Sequence, residues 1–303
     1  MKATLSILFL ALAAVAAAAA PGPARLGGSL PTAGTGKPPL PLAPRQASRV
    51  VQVPDLDWAA FAGDLAEVRR LLGEGASVTA TETLWGGEYP LHWAAIGGNP
   101  LVVRELLAAG APIEGRDAGG ETALQEALRG HDPGLRALQA LLVAGANPEH
   151  VGFAGWRALH EAASLPSDRA LNAVLTLRWF GVDPAAPFGS RKATALHLAA
   201  LQPYDRFAGR ALLNPWVDPN GRVADPNAQD QNGQTPLHWL VVDGRSSQDR
   251  RVALWLVQNG ADPHLGDMNG DTPIQFARLM GADELARLLE SAAPQQPEPG
   301  DGE

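Results

Sequence analysis

The chain has 303 residues with 24 basic and 32 acidic side chains, and no cysteine. That length allows one or two domains, and the lack of thiols excludes disulfides, thiolate zinc sites, iron–sulfur clusters and cysteine nucleophiles. Residues 1–20 carry +1, residues 21–54 carry +4 and the last thirteen carry −3, leaving −10 on residues 55–290; a body of that sign repels phosphate backbones, so no nucleic-acid partner is expected.

Residues 1–20 read as an export signal, with Met1-Lys2 as a short positive end, an apolar centre from Leu5 to Val15, and small residues from Ala16 to Ala20 for a peptidase. With no twin-arginine pair and no N-x-S/T acceptor, the reading is general secretion into a bacterial periplasm, with no stable membrane insertion after cleavage. Residues 21–54 hold eight prolines and no helical or strand period, the composition of a disordered linker. The tail from Ser291, with Pro294, Pro297 and Pro299, has the same character.

Between these ends the sequence repeats itself. One column of apolar residues runs Leu91, Leu124, Leu159, Leu196, Leu237 and Ile274, at intervals of 33, 35, 37, 41 and 37 residues. Each lies in a segment of the form Thr-Pro-Leu-His-x-Ala-Ala, clearest at Thr194 to Ala200 and Thr235 to Leu240. A second column repeats Leu-Leu-x-x-Gly-Ala at 71–76, 106–111 and 141–146, with relatives at 256–261 and at Gly181-Val182, where Arg178 takes the second leucine slot. Thr caps a helix, Pro is tolerated in its first turn, and Gly suits the left-handed position after a helix end, so the two columns predict a helix pair per repeat.

On these residues the chain resembles the ankyrin-repeat family. The resemblance covers nearly all of 55–290. It implies an all-α solenoid of stacked helix-turn-helix units with short β-hairpin loops, in about seven units: 55–80, 82–115, 117–149, 152–186, 189–227, 230–263 and 267–290. It also implies that His92, His160, His197 and His238, which share one repeat slot, hydrogen-bond between neighbouring turns; their spacing of one or two units argues against a shared metal ion. No phosphate-cradling loop, dinucleotide fingerprint or G-x-S-x-G is present, so neither enzyme chemistry, a cofactor nor a metal is expected.

In the family, hairpin tips and the exposed ends of first helices line a concave face that grips protein partners. Carried onto this sequence, that places Trp85, Glu88, Phe153, Trp156, Arg191, Gln202, Gln231, Asp243 and Met268 at a partner-binding surface, with Glu121 and Arg129 between them. Trp85, Trp156 and Phe153 on connecting segments read as aromatic anchors or as rings folded back on a neighbouring hairpin. Trp58, Trp179 and Trp255 within helices, and Trp93 and Trp239 after the repeat histidine, read as core. Insertions at 129–134, 214–227 and 244–249 are open as binding elements or as tolerated growth. The function expected is therefore a monomeric, non-enzymatic protein-binding module that inhibits, protects or escorts a partner. Two other readings are an N-terminally anchored envelope scaffold and a hydrolase with a site in the 214–227 loop.

Overall fold

Both repeat columns mark helix ends. The computed structural model describes residues 55–81, 87–130, 135–152, 155–165, 167–201, 206–241 and 247–292. Among these, one helix pair falls in each of the seven units: α1 (Asp55–Ala62) with α2 (Leu65–Gly73), α3 (Pro90–Gly97) with α4 (Pro100–Ala108), α5 (Ala123–Arg129) with α6 (Arg136–Val143), and α7 (Ala158–Ser164) with α8 (Ser167–Trp179). Then come α9 (Ala195–Ala200) with α10 (Arg206–Leu212), α11 (Pro236–Val241) with α12 (Ser247–Gln258), and α13 (Pro273–Leu279) with α14 (Asp283–Ala292). No sheet forms among the described residues; β pairing there consists of isolated bridges such as Arg116–Thr122 and Phe188–Ala193 at the hairpins that join units.

The Leu-Leu-x-x-Gly-Ala column ends each second helix by one hydrogen-bond scheme. The alanine N–H donates to the first leucine carbonyl, as in Ala76 to Leu71, Ala111 to Leu106, Ala146 to Leu141 and Ala261 to Leu256, each at 3.0 Å. The glycine before it sits at positive φ, for example Gly110 at 90° and Gly145 at 93°, where a side chain would be strained.

First helices stack on first helices from α1 through α13, and second helices pack beside them, so that the apolar face of every unit is buried by its neighbours. Glycine permits the closest approaches. A Cβ on Gly97 would fall on the carbonyl oxygen of Phe61, and one on Gly130 would lie 2.6 Å from the Ile96 oxygen. In unit four the same slot holds Leu165.

Unit five solves its helix end differently. The residue bonding the Leu212 carbonyl is Ala224, at 3.0 Å, so residues 213–223 replace the usual four-residue link. Arg178 crosses from unit four to fill the gap. Its side chain is fully buried and its guanidinium donates to the carbonyls of Ala211 (3.2 Å), Leu212, Asn214 (3.4 Å) and Arg222. Its Nε lies 3.9 Å from a buried carboxylate, Asp218, which Arg222 also meets at 3.1 Å. Burial of this guanidinium, opposed by Asp218, holds its pKa below the usual arginine value. An arginine in a leucine column is thus a side-chain cap for the next unit's helix.

Candidate partner-binding surface

The first helices and hairpin tips form one side of the array, and imidazoles fix their register. In His92, His160, His197 and His238, Nδ1 accepts the main-chain N–H three residues earlier, at 3.1 to 3.2 Å. The ring proton therefore sits on Nε2, which donates onward to a carbonyl leading into the next unit: Glu121 (3.1 Å), Ala186 (2.9 Å), Gln234 (3.0 Å) and Asp271 (2.9 Å) respectively. Burial lowers all four pKa values, to about 4 for His160 and His197. Units three and seven carry Gln125 and Gln275 in this slot. Each Gln accepts the local N–H, from Thr122 at 3.2 Å and Thr272 at 2.9 Å. The Gln125 amide nitrogen is buried without a hydrogen-bond partner.

The hairpin tips are stitched to one another. The Gln231 N–H donates to the Arg191 carbonyl at 2.6 Å, and the Met268 N–H to the Asn232 carbonyl at 2.9 Å. Asp230 and Asp267 shape these turns, each accepting two backbone N–H groups through Oδ1 at 2.8 to 3.1 Å. Gly233, at φ 74°, passes so close that a Cβ would meet the Met268 nitrogen at 2.7 Å. Arg191, Gln231 and Met268 thereby stand in one row across units five to seven, with Gln231 exposed and Met268 77% exposed.

The other sequence candidates are placed differently. Glu88 is buried. Trp156 is only 7% exposed, its ring edge-to-face with Phe188 at 5.5 Å, so the indole is folded onto the next hairpin rather than offered to a partner. Trp85, Phe153, Gln202 and Asp243 lie outside the described residues. Among the tryptophans read as core, Trp239 is buried and donates its indole N–H to Asp230 at 3.2 Å. Trp179 is a correction: it is 67% exposed at the end of α8, because the buried stripe of that helix runs through Ala170, Ala173, Val174 and Leu177 and leaves Trp179 off it.

A charged cluster between units three and four was only half visible in the sequence. Arg129 meets Glu121 at 3.0 Å, Glu126 at 3.2 Å, and Glu161 of the next unit. All three carboxylates are buried and the arginine is partly exposed. Burial pushes the Glu161 carboxyl up to about 8, against the pull of Arg129, so at neutral pH this group holds a proton. Spacings of three, eight and 32 residues bring these groups together only once adjacent units stack. Among the described residues no group of acids and histidines is arranged to hold a metal ion, and no helix is long and apolar enough to cross a membrane.

With this geometry the chain can be set beside known proteins. A family model of ankyrin repeats in three copies matches residues 56–151, and a single ankyrin-repeat model matches residues 232–268. Among solved structures the chain is similar to the ankyrin repeat domain of Bcl-3, described as a unique member of the IkappaB protein family. That likeness has 27% sequence identity and a TM-score of 0.62, and covers 77% of this chain and 97% of that one. No curated protein matches.

Proposed function

We propose that this chain, an all-α solenoid of ankyrin repeats, is an exported binding module that holds one protein partner against its first helices and hairpin tips. The observation that supports this reading most is the stitched row of Arg191, Gln231 and Met268, a polar and apolar strip held rigid by main-chain hydrogen bonds between units. Rigid presentation lowers the ordering cost of binding, and mixed polarity suits a protein surface better than a small molecule. Export to a periplasm rests on the basic, apolar and small-residue order of residues 1–20.

The experiment is to purify the exported chain under native conditions, identify what accompanies it, and sequence its mature N-terminus. A single partner should be retained, and Met268→Asp should weaken it about tenfold or more, as loss of a contact at an interface centre does. Leu101→Asp, exposed on a second helix, should leave it bound. Equal retention by Met268→Asp would reject the tip row as the binding strip, and a mature start still containing Met1 would reject cleavage.

A further inference from the structure

Four asparagines are followed by glycine, at Asn220-Gly221, Asn232-Gly233, Asn259-Gly260 and Asn269-Gly270. Glycine has no Cβ to shield its nitrogen, so at such a pair that nitrogen can reach the carbon of the asparagine side-chain amide. How often it does so depends on how readily the local backbone leaves its folded geometry.

Three of the pairs sit in the same kind of turn. The asparagine N–H donates to Oδ1 of an aspartate, at 2.7 Å for Asp218 and at 2.8 Å for Asp230 and Asp267. The glycine N–H donates to the carbonyl of that same aspartate, at 2.9, 3.0 and 2.9 Å respectively. Ring closure needs the glycine nitrogen to quit this bond, so the turn must open first. The internal bonds are nearly alike, and the difference lies in what is tied to each turn.

Asn232 is pinned by the following unit. Its carbonyl accepts the Met268 N–H at 2.9 Å, and Gly233 is buried against the Met268 backbone. Asn220 follows Pro219, whose φ is fixed, and Gly221 precedes Arg222, which donates to Asp218 and the Gly181 carbonyl while its own carbonyl accepts from Arg178. Asn259 is held just past α12: its N–H donates to the Trp255 and Leu256 carbonyls at 3.1 and 3.0 Å, and its Nδ2 to Trp255 at 2.7 Å. Asn269 is the exception. It and Gly270 are exposed, and a Cβ on Gly270 would meet nothing within 4 Å. Among the described residues no other unit makes a hydrogen bond to either one. In the last unit of an array this turn opens by breaking its own bonds alone.

We propose that Asn269-Gly270 is a self-modification site, where the chain converts its own asparagine to aspartate and isoaspartate. The Gly270 nitrogen bonds to Cγ of Asn269, the Cγ–Nδ2 bond breaks, and the displaced amide nitrogen leaves as ammonia with the glycine proton. Water then opens the succinimide. Attack at Cγ gives aspartate, and attack at the main-chain carbonyl carbon gives isoaspartate. Either product adds a carboxylate beside Asp267 and Asp271, and isoaspartate also inserts a methylene into the main chain next to Met268. The chemistry does not depend on the binding role proposed above.

The test is peptide mapping of the full chain, held folded in mildly alkaline buffer and, in parallel, unfolded in guanidinium chloride. The amide-to-acid mass change is followed at each asparagine, and the unfolded chain supplies each pair's intrinsic rate. Relative to that rate, Asn269 in the folded chain should convert about tenfold or more faster than Asn232 and Asn259, with Asn220 also behind it, because opening costs range from almost nothing at free ends to the whole of folding. Neither Met268 nor Asn269 has positive φ, so their turn is of type I and accepts proline at Met268. Met268→Pro keeps that turn but removes the N–H that Asn232 accepts, and should speed Asn232 about tenfold while circular dichroism shows the array still folded. The proposal is overturned if Asn269 stays an amide in the folded chain while the unfolded chain converts, if another pair leads, or if Met268→Pro leaves Asn232 as slow as before.

Discussion

Units two and three differ from units four and five in how they finish the same architecture. In units two and three, each second helix is closed by backbone alone, through Gly110-Ala111 and Gly145-Ala146, and glycines let the first helices approach closely. In units four and five, Leu165 stands where glycine was, and a buried arginine reaches across the junction to close a helix with no Gly-Ala end. A repeat fold thus requires that every carbonyl at a helix end be satisfied, but not by which group. Unit four still closes its own second helix by backbone, Val182 N–H to the Leu177 carbonyl at 3.2 Å, and the side-chain cap acts only on unit five.

The largest effect should come from Arg178→Leu, which restores the column residue yet orphans several carbonyls and leaves Asp218 only Arg222 and the Asn220 N–H. A loss of about 3–5 kcal/mol is expected in urea unfolding, the usual cost of removing one partner from a buried charge network. Replacing residues 213–223 with the Leu-Gly-Glu-Gly of residues 72–75 should rescue that variant, and absence of rescue would break the comparison. Next come Gly97→Ala and Gly130→Ala, each expected to cost about 2–3 kcal/mol by overpacking against backbone. Leu165→Gly, in the other half, should bring no comparable gain.

Acid should unfold units four and five ahead of the rest. His160 and His197 titrate near 4 in the folded chain, below the free value of about 6.5. Between those limits the unfolded chain binds protons that the folded chain does not, so their contribution is complete above about pH 6.5 and falls as pH drops toward 4. Glu161 has the opposite sign. Its folded value of about 8 lies above the free value of 4.5, so the folded chain keeps a proton and loses stability as pH rises across that range. Urea midpoints should therefore decline on both sides, and Glu161→Gln should flatten the alkaline limb. Hydrogen exchange at pH 5 should show α7 and α9 opening before α5; the reverse order would refute the assignment. Smallest of all, Trp216→Ala should change stability by less than about 0.5 kcal/mol, since its ring is almost wholly in water.

Period and helix-end chemistry are local signals, so the helix pairs, the left-handed glycines and the linking histidines were legible in the sequence. What was not legible depends on how units sit against each other. Trp156 was open between an anchor and a ring folded on its neighbour, and only the stacking of units decides for the second, against Phe188; Trp179 was read as core from its helix context and faces water. Arg178 was visible as an outlier among leucines, but no spacing rule could say that it reaches 33 to 44 residues ahead. Glu121 and Arg129 were placed on the partner side, while the cluster they form with Glu161, its carboxylates buried, arises only when units three and four meet.

Gln125 gives the array a seam. Where His92 reaches the next hairpin, this amide stops at its own turn. Across that boundary Arg129 meets Glu161, and Arg169 donates to the Leu128 carbonyl at 2.5 Å. These links run through side chains that only this pair of units supplies, whereas the imidazole-to-carbonyl link recurs between other neighbours. A chimaera spliced here must therefore carry Arg129, Glu161 and Arg169 together, while one spliced at a histidine-linked boundary need keep only the repeat residues.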